Sequence, residues 1–213
     1  MRALVIGASG GIGAALAAAL AARGKVVGLS RSHDGLDVTD EASVARVLGV
    51  LRGPFEMIFC ATGALGRPEK MLKALEPEAF VQQMQVNALG PLLVLKHALP
   101  LMPRDRVARF GALSARVGSI GDNRLGGWYS YRAAKAALNQ GLRSAAVEIA
   151  RTHPQAVIAA LHPGTVETAF TAGYAAEKHA PDRAAADLIR VLEGLTPDDS
   201  GGFRDWRGAT VPW

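Results

Sequence analysis

Tyr131 and Lys135 stand four positions apart in the run Tyr131-Arg132-Ala133-Ala134-Lys135. In a helix that spacing puts two side chains on one face with about 6 Å of rise between them, so both reach one pocket. A phenol is a poor acid–base group at its reference pKa of about 10. Lowering it into the neutral range takes roughly 3–4 kcal/mol, which a neighbouring ammonium supplies only in a shielded site. The chemistry of such a pair is proton transfer to or from a developing alkoxide. The spacing alone also describes a surface tyrosine packed beside a lysine stem, so a second signal is needed.

That signal is Gly7-Ala8-Ser9-Gly10-Gly11-Ile12-Gly13, directly after the apolar run Ala3–Ile6 and opening an Ala-rich one. Glycines let the backbone turn tightly and approach a pyrophosphate, and a helix N-terminus offers unpaired N–H groups and a partial positive charge. A plain strand–helix turn rarely needs four glycines, so Gly7, Ser9, Gly10, Gly11, Ile12 and Gly13 are read as a dinucleotide cradle. An acidic residue ending the second strand would bind the ribose 2′-hydroxyl of NAD. Here the strand end reads Leu29-Ser30-Arg31-Ser32. Arg31 suits a 2′-phosphate, and Ser30 or Ser32 can donate to it, so NADP is the expected cofactor. Asp34 nearby keeps NAD as the lesser alternative.

The elements that must position these groups follow from pattern. Short apolar runs alternate with longer amphipathic ones, which predicts a parallel sheet covered by helices on both faces. Strands are expected at Ala3–Ile6, Val26–Leu29, Met57–Cys60, Val107–Leu113 and Ala156–Leu161, with Gly201–Asp205 as a short last one. Helices are expected at Ile12–Ala22, Glu41–Leu51, Pro77–Leu99, Tyr129–Arg151 and Asp182–Glu193. Only seven residues separate Leu29 from Asp37, too few for a helical crossover of about ten to twelve. Gly35–Val38 is therefore a very short strand or a loop, and the helix after the second strand is missing. Pro91 lacks an N–H and crowds the carbonyl of Asn87 four residues back, which predicts a kink there.

Composition excludes several classes. At 213 residues, with 49% apolar and 20% charged, the chain fits one soluble domain with a real core. The net charge of +5 is scattered, without the basic run or aromatic interleaving of a nucleic-acid surface, but it favours an anionic cofactor. Ala3–Ala22 carries no charge, yet its glycines and Ser9 speak against a signal peptide or membrane span. Cys60 is the single cysteine, which fits a reducing, cytoplasmic compartment, and it reads as a sheet-core residue. His33, His97, His153, His162 and His179 lack metal-ligand spacing, so no metal is expected. His162, before Pro163, reads as a packed or capping residue, and Asn139 as a buried helix hydrogen-bonder.

Taken in order, these motifs resemble the short-chain dehydrogenase/reductase family over essentially the whole chain. Gly7-x-x-x-Gly11-Ile12-Gly13 matches its cofactor turn, and Asp37-Val38 its adenine-contacting Asp-Val. Asn87, in Val86-Asn87-Ala88-Leu89-Gly90, matches its catalytic asparagine, and Tyr131 with Lys135 its acid–base pair. Pro163-Gly164-Thr165-Val166-Glu167-Thr168 matches the segment beside the nicotinamide, which adds Pro163, Gly164, Val166 and Thr168 to the cofactor set. Ala61-Thr62-Gly63, Pro68-Glu69-Lys70, Gly126 to Arg132 and Val211-Pro212-Trp213 are similar to C-factor-like and carbonyl-reductase-like members. Ala61 and Gly63 thereby join the cofactor set. Ile6 stands where a threonine is usual, and Cys60-Ala61-Thr62-Gly63 replaces Asn-Asn-Ala-Gly; both departures concern bracing.

The resemblance implies a single-domain, doubly wound parallel sheet of the Rossmann type. It implies hydride transfer with a small carbonyl or alcohol substrate, Tyr131 donating the proton, Lys135 holding the ribose and Asn87 holding a water. A homodimer or homotetramer built on the Pro77–Leu99 and Tyr129–Arg151 helices is expected. The serine that orients the substrate oxygen usually precedes a glycine by three positions; counting back from Gly118, that slot is Ala115. Ser114, one residue earlier, is the expected substitute, turned into the site by a lengthened turn, with Ser119 a lesser candidate. Phe170 and Tyr174 are expected to form a lid over a partly apolar substrate. The rival reading is a nucleotide-binding regulatory or signalling protein of the same fold without turnover.

Overall fold

A computed structural model describes residues 1–213 except Tyr174 and Ala176. Its elements run β1 (Arg2–Ile6), α1 (Gly11–Ala21), β2 (Lys25–Leu29), α2 (Arg31–Asp34), α3 (Glu41–Gly49), β3 (Met57–Cys60), α4 (Pro77–Met84) and α5 (Gly90–Ala98). Then follow β4 (Ala108–Leu113), α6 (Tyr129–Ile149), β5 (Ala156–His162), α7 (Pro181–Gly194) and β6 (Gly202–Asp205). The strands form one six-stranded sheet in the order β2-β1-β3-β4-β5-β6, with every neighbouring pair parallel. This is the doubly wound fold expected from the motifs.

Alternation is hard to see in the central strands because both faces are covered. Leu4, Ile6, Ile58, Cys60, Phe110, Ala112, Ile158 and Ala160 point toward α3, α5 and α6, where they meet Val44, Leu48, Val94, Leu138 and Leu142. The intervening Ala3, Val5, Met57, Phe59, Val157, Ala159 and Leu161 pack against Leu16 and Leu20 of α1 and Leu188 and Leu192 of α7. All these strand side chains are at most 5% exposed, so each strand end is rigidly aimed.

Two segments differ from the sequence expectation. After β2 the chain forms a single helical turn, α2, capped by Ser30 Oγ accepting from the His33 N–H at 3.2 Å. Gly35, at φ 64°, ends it, and residues 36–38 are loop. The missing crossover helix is thus a four-residue turn. Seven residues cannot lift the chain over the sheet and return it as another strand, so β2 remains an edge. The expected long helix Pro77–Leu99 is also divided. Gln85–Leu89 is a π-helical segment, with the Gly90 N–H bonded to Gln85 O, and α5 restarts with Pro91 in its first turn. Widening the turn accommodates the proline ring and takes the place of a simple kink.

Candidate active site

The strand order reverses between β1 and β3, and in such sheets ligands sit beyond the strand C-termini at that switch point. The β1–α1 turn lies there. Gly7 adopts φ 87°, and a Cβ on it would come within 2.9 Å of Ala61 O. A Cβ on Gly13 would lie 2.0 Å from Gly7 O, so neither position admits a side chain. Gly10 precedes α1 with no side-chain cap, and the first turn of α1 holds no acidic residue. Its N–H groups and partial positive charge are left for an anion.

A cavity of about 540 Å³ opens beside this turn. Gly10, Gly11, Ile12 and Gly13 form one wall, and Ala61 and Gly63 flank it. Pro163, Gly164, Val166 and Thr168 close another side, with Thr168 packed so tightly that a Cβ on Gly11 would meet its Cγ2 at 2.6 Å. Tyr131, Lys135 and Ser114 also line the cavity, with Trp128 and Phe170. Among the described residues that line it, Ser30, Arg31, Asp37 and Val38 are not found. Ser30 is buried at the end of β2 with its N–H on Asp34 Oδ2 at 2.7 Å, while Arg31 is exposed. Asp37 Oδ1 accepts from the Thr39 N–H and Oγ1–H at 2.9 and 2.7 Å, bonds that hold its carboxyl below the usual range. Val38 packs where a Cβ on Gly90 would meet its Cγ2 at 2.9 Å. Ser9 is exposed at the tip of the turn.

Tyr131 sits in the first turn of α6 and is 6% exposed. Its ring is held between Trp128, edge-on at 6.2 Å, and Phe170 at 6.1 Å. Lys135 Nζ lies 5.8 Å from the Tyr131 ring centroid and donates to Leu113 O at 2.8 Å. Burial pushes the Lys135 ammonium down to about 8 and the Cys60 thiol up. Asn87 is fully buried, and its Nδ2 donates to Ala64 O and to Gln83 Oε1, both at 2.7 Å. A Cβ on Gly63 would touch Asn87 Oδ1 at 3.0 Å and Lys135 Nζ at 3.8 Å, so the three meet at one point.

Ser114 lines the cavity, but its hydroxyl donates to Asn139 Oδ1 at 2.7 Å, two turns along α6 from Tyr131. The Ser114 hydroxyl is thus engaged by Asn139, whose buried Nδ2 has no hydrogen-bond partner among the described residues. Ser114 continues the alternation of Phe110 and Ala112 toward α6, so no lengthened turn is needed to explain where it points. Ala115 also lines the cavity. Ser119 is buried and accepts from the Asp122 N–H at 3.1 Å. Phe170 is 38% exposed and lines the cavity, and Tyr174 lies outside the described residues.

Sequence reasoning did not find Glu69. Its carboxylate is 7% exposed and accepts from the Ser130 N–H and from Ser130 Oγ, while its backbone O accepts from the Trp128 N–H at 2.6 Å. Trp128 precedes α6 at φ 56° without a side-chain cap of its own. Glu69 therefore supplies the cap from 61 residues away, and Tyr131 is the next residue. No group of three or more possible metal ligands occurs among the described residues. No helix among them is long and apolar enough to cross a membrane.

A glycine turn at the switch point of a doubly wound sheet, faced by a Tyr-x-x-x-Lys helix, defines the class: the chain belongs to the short-chain dehydrogenase/reductase family. Residues 7–201 match the family described as Enoyl-(Acyl carrier protein) reductase. The 1-hydroxy-2-glutathionyl-2-methyl-3-butene dehydrogenase of Rhodococcus sp. strain AD45 is 31% identical over 228 aligned residues, covering 99% of this chain and 98% of that protein. The C-signal of Myxococcus xanthus is 40% identical over 129 residues, 60% of this chain and 75% of its own length. A Burkholderia multivorans structure described as a short-chain dehydrogenase/reductase with bound NADP superposes with a TM-score of 0.84 at 28% identity, covering 100% of this chain and 99% of that one.

Proposed function

We propose that the chain is an NADP(H)-dependent oxidoreductase that moves a hydride between a nicotinamide and a small, partly apolar carbonyl or alcohol compound. The observation that carries this reading is that Tyr131 and Lys135 line the same cavity as the glycine-rich turn Gly10–Gly13. That turn, the uncapped α1 N-terminus and the Pro163–Thr168 segment fit a dinucleotide. Arg31 and Ser30, at the end of β2, are assigned to a 2′-phosphate, with Asp37 and Val38 toward the adenine. The NADP-bound Burkholderia relative supports the cofactor choice. When bound, the nicotinamide supplies or accepts the hydride.

The chain's own part is proton handling and orientation. Tyr131 gives its phenolic proton to the oxygen as negative charge develops there, or takes it back in the oxidising direction. Lys135 favours the phenolate by its charge and binds ribose hydroxyls. Asn87, wedged against Gly63 and Lys135, holds the water that resupplies the proton. Trp128, Leu113, Val166 and Phe170 give the cavity its apolar side, which excludes water and suits an apolar substrate.

The test is turnover of a panel of aldehydes and ketones, benzaldehyde among them, with NADPH and NADH in turn. Loss of the reduced cofactor's absorbance, faster with NADPH, is the expected result. Tight NADPH binding with no turnover across the panel would overturn it in favour of a signalling role, the reading that the relative named C-signal supports. We also assign the chain to a homo-oligomer in the cytoplasm. Val81, Leu89 and Val147, each about half exposed on α4, the π segment and α6, offer the apolar contact faces. Light scattering on the purified protein decides that point.

A further inference from the structure

An oxygen gaining negative charge is best held by two donors, and Tyr131 is one. The end of β4 is a poor source of the second: the Ser114 hydroxyl is already paired with Asn139 at 2.7 Å, and Ala115 has no hydroxyl. The neighbouring strand does offer a group. β5 pairs with β4 through Leu161 opposite Leu113, and the Ser114 N–H donates to Leu161 O at 2.8 Å. The next residue, His162, therefore stands beside Ser114 at the same edge of the sheet.

Three observations aim His162 into the site. Ile158 and Ala160 belong to the core under α6 and Leu161 to the opposite one, so alternation turns His162 to the face that carries Tyr131 and Lys135. The residue lines the same cavity as both. Its Nδ1 is buried without a hydrogen-bond partner among the described residues. Burial also holds the ring neutral, at about 4, so it carries a single N–H near neutral pH. An orphaned N–H costs more than an orphaned lone pair, which places that hydrogen on Nε2. Asp205, its register partner on β6, accepts through Oδ1 from the Arg207 and Ala209 N–H groups at 2.9 and 3.0 Å, and its charge acts on the ring.

We propose that His162 donates, through Nε2–H, the second hydrogen bond to the substrate oxygen, in the place where this chain has Ala115. This rests on the oxidoreductase reading above. His162 is then a catalytic residue, while Ser114 and Asn139 form a buried brace behind it.

The experiment compares His162→Leu, which removes the donor, with His162→Gln, which keeps an N–H, using NADPH and benzaldehyde after wild-type turnover has been measured. His162→Leu is expected to lower kcat by roughly 10²- to 10³-fold with the NADPH Kd unchanged, the range for one lost oxyanion donor. His162→Gln is expected to keep at least about ten times more activity than His162→Leu, and adding Ala115→Ser to His162→Leu to recover about tenfold. Equal kcat in the Leu and Gln variants, or wild-type kcat in the Leu variant, overturns the assignment and leaves the oxidoreductase reading intact. A wild type without turnover across the whole aldehyde and ketone panel overturns both. Should the Leu variant misfold, NMR of the ring nitrogens in the wild-type NADPH complex replaces it. A hydrogen on Nε2 that shifts when benzyl alcohol is added supports the proposal; one on Nδ1, or no shift, defeats it.

Discussion

Lys135 Nζ lies 5.8 Å from the centroid of the Tyr131 ring, with its own hydrogen bond going to Leu113 O at 2.8 Å. The ammonium is thus anchored to the sheet end and presented to the phenol's surroundings, where its charge acts with little screening. This one relationship joins strand β4, helix α6 and the proposed chemistry.

Replacing Tyr131 by Phe removes the proton donor and leaves the packing against Trp128 and Phe170. NADPH affinity is expected to change less than about threefold, while kcat falls by roughly 10²- to 10⁴-fold, the usual contribution of a positioned acid–base group. Cofactor titration by fluorescence and steady-state kinetics measure the two. Wild-type turnover would remove Tyr131 from the mechanism.

Lys135 makes a prediction about stability and its sign with pH. Burial lowers the group from 10.5 to about 8, so below that pH the folded chain holds a buried charge at a cost of about 3 kcal/mol. Between about 8 and 10.5 the unfolded chain binds the proton and the folded one does not, so this cost fades as pH rises. Lys135→Met is freed of it, though Leu113 O loses its donor. The variant is expected to be inactive yet up to about 2 kcal/mol more stable at about pH 7, a Tm gain of several degrees that shrinks toward about pH 10. Thermal melts across that range check it; a Tm difference independent of pH would count against a buried ammonium.

Arg31 is exposed beside Ser30 at the end of β2. Arg31→Ala is expected to weaken NADPH by about 10- to 100-fold and NADH by much less, as the loss of a charge-assisted bond to phosphate would. Equal weakening of both cofactors would show that the guanidinium does not read the 2′-phosphate.

Glu69 holds the start of α6 from a distant loop. Glu69→Ala leaves the Ser130 N–H and hydroxyl without their buried acceptor, at a cost of roughly 1.5–3 kcal/mol. Calorimetry is expected to show Tm lowered by several degrees, and kinetics a fall in kcat larger than any change in NADPH Kd, since Tyr131 is the next residue on that turn. A variant as stable and active as wild type would remove the cap from the account.

The cofactor turn and the strand–helix alternation were legible in the sequence because each depends on local backbone needs. Gly7 must take a positive φ, Gly13 must let Gly7 O approach, and β1 must be apolar on both faces. The Tyr131–Lys135 pair was legible for the same reason, since helical periodicity alone sets its common face. Seven residues after Leu29 likewise ruled out another crossover strand by length. What the sequence left open lies where distant segments meet. Ser114 lines the cavity with Tyr131 as expected, but its partner Asn139, at 2.7 Å, was decided by β4 packing under α6. Pro91 announced a disturbed helix, and only packing selected a π turn over a kink. Pro68-Glu69-Lys70 could be quoted as a phrase, but nothing local to it says that its carboxylate caps a helix 61 residues away. That His162 lines the cavity beside the end of β4 could not be read from its neighbourhood in sequence. Side-chain direction at a strand end, and the partner a buried polar group finds, are set by the whole packed sheet and its helices, so only the tertiary structure could decide them.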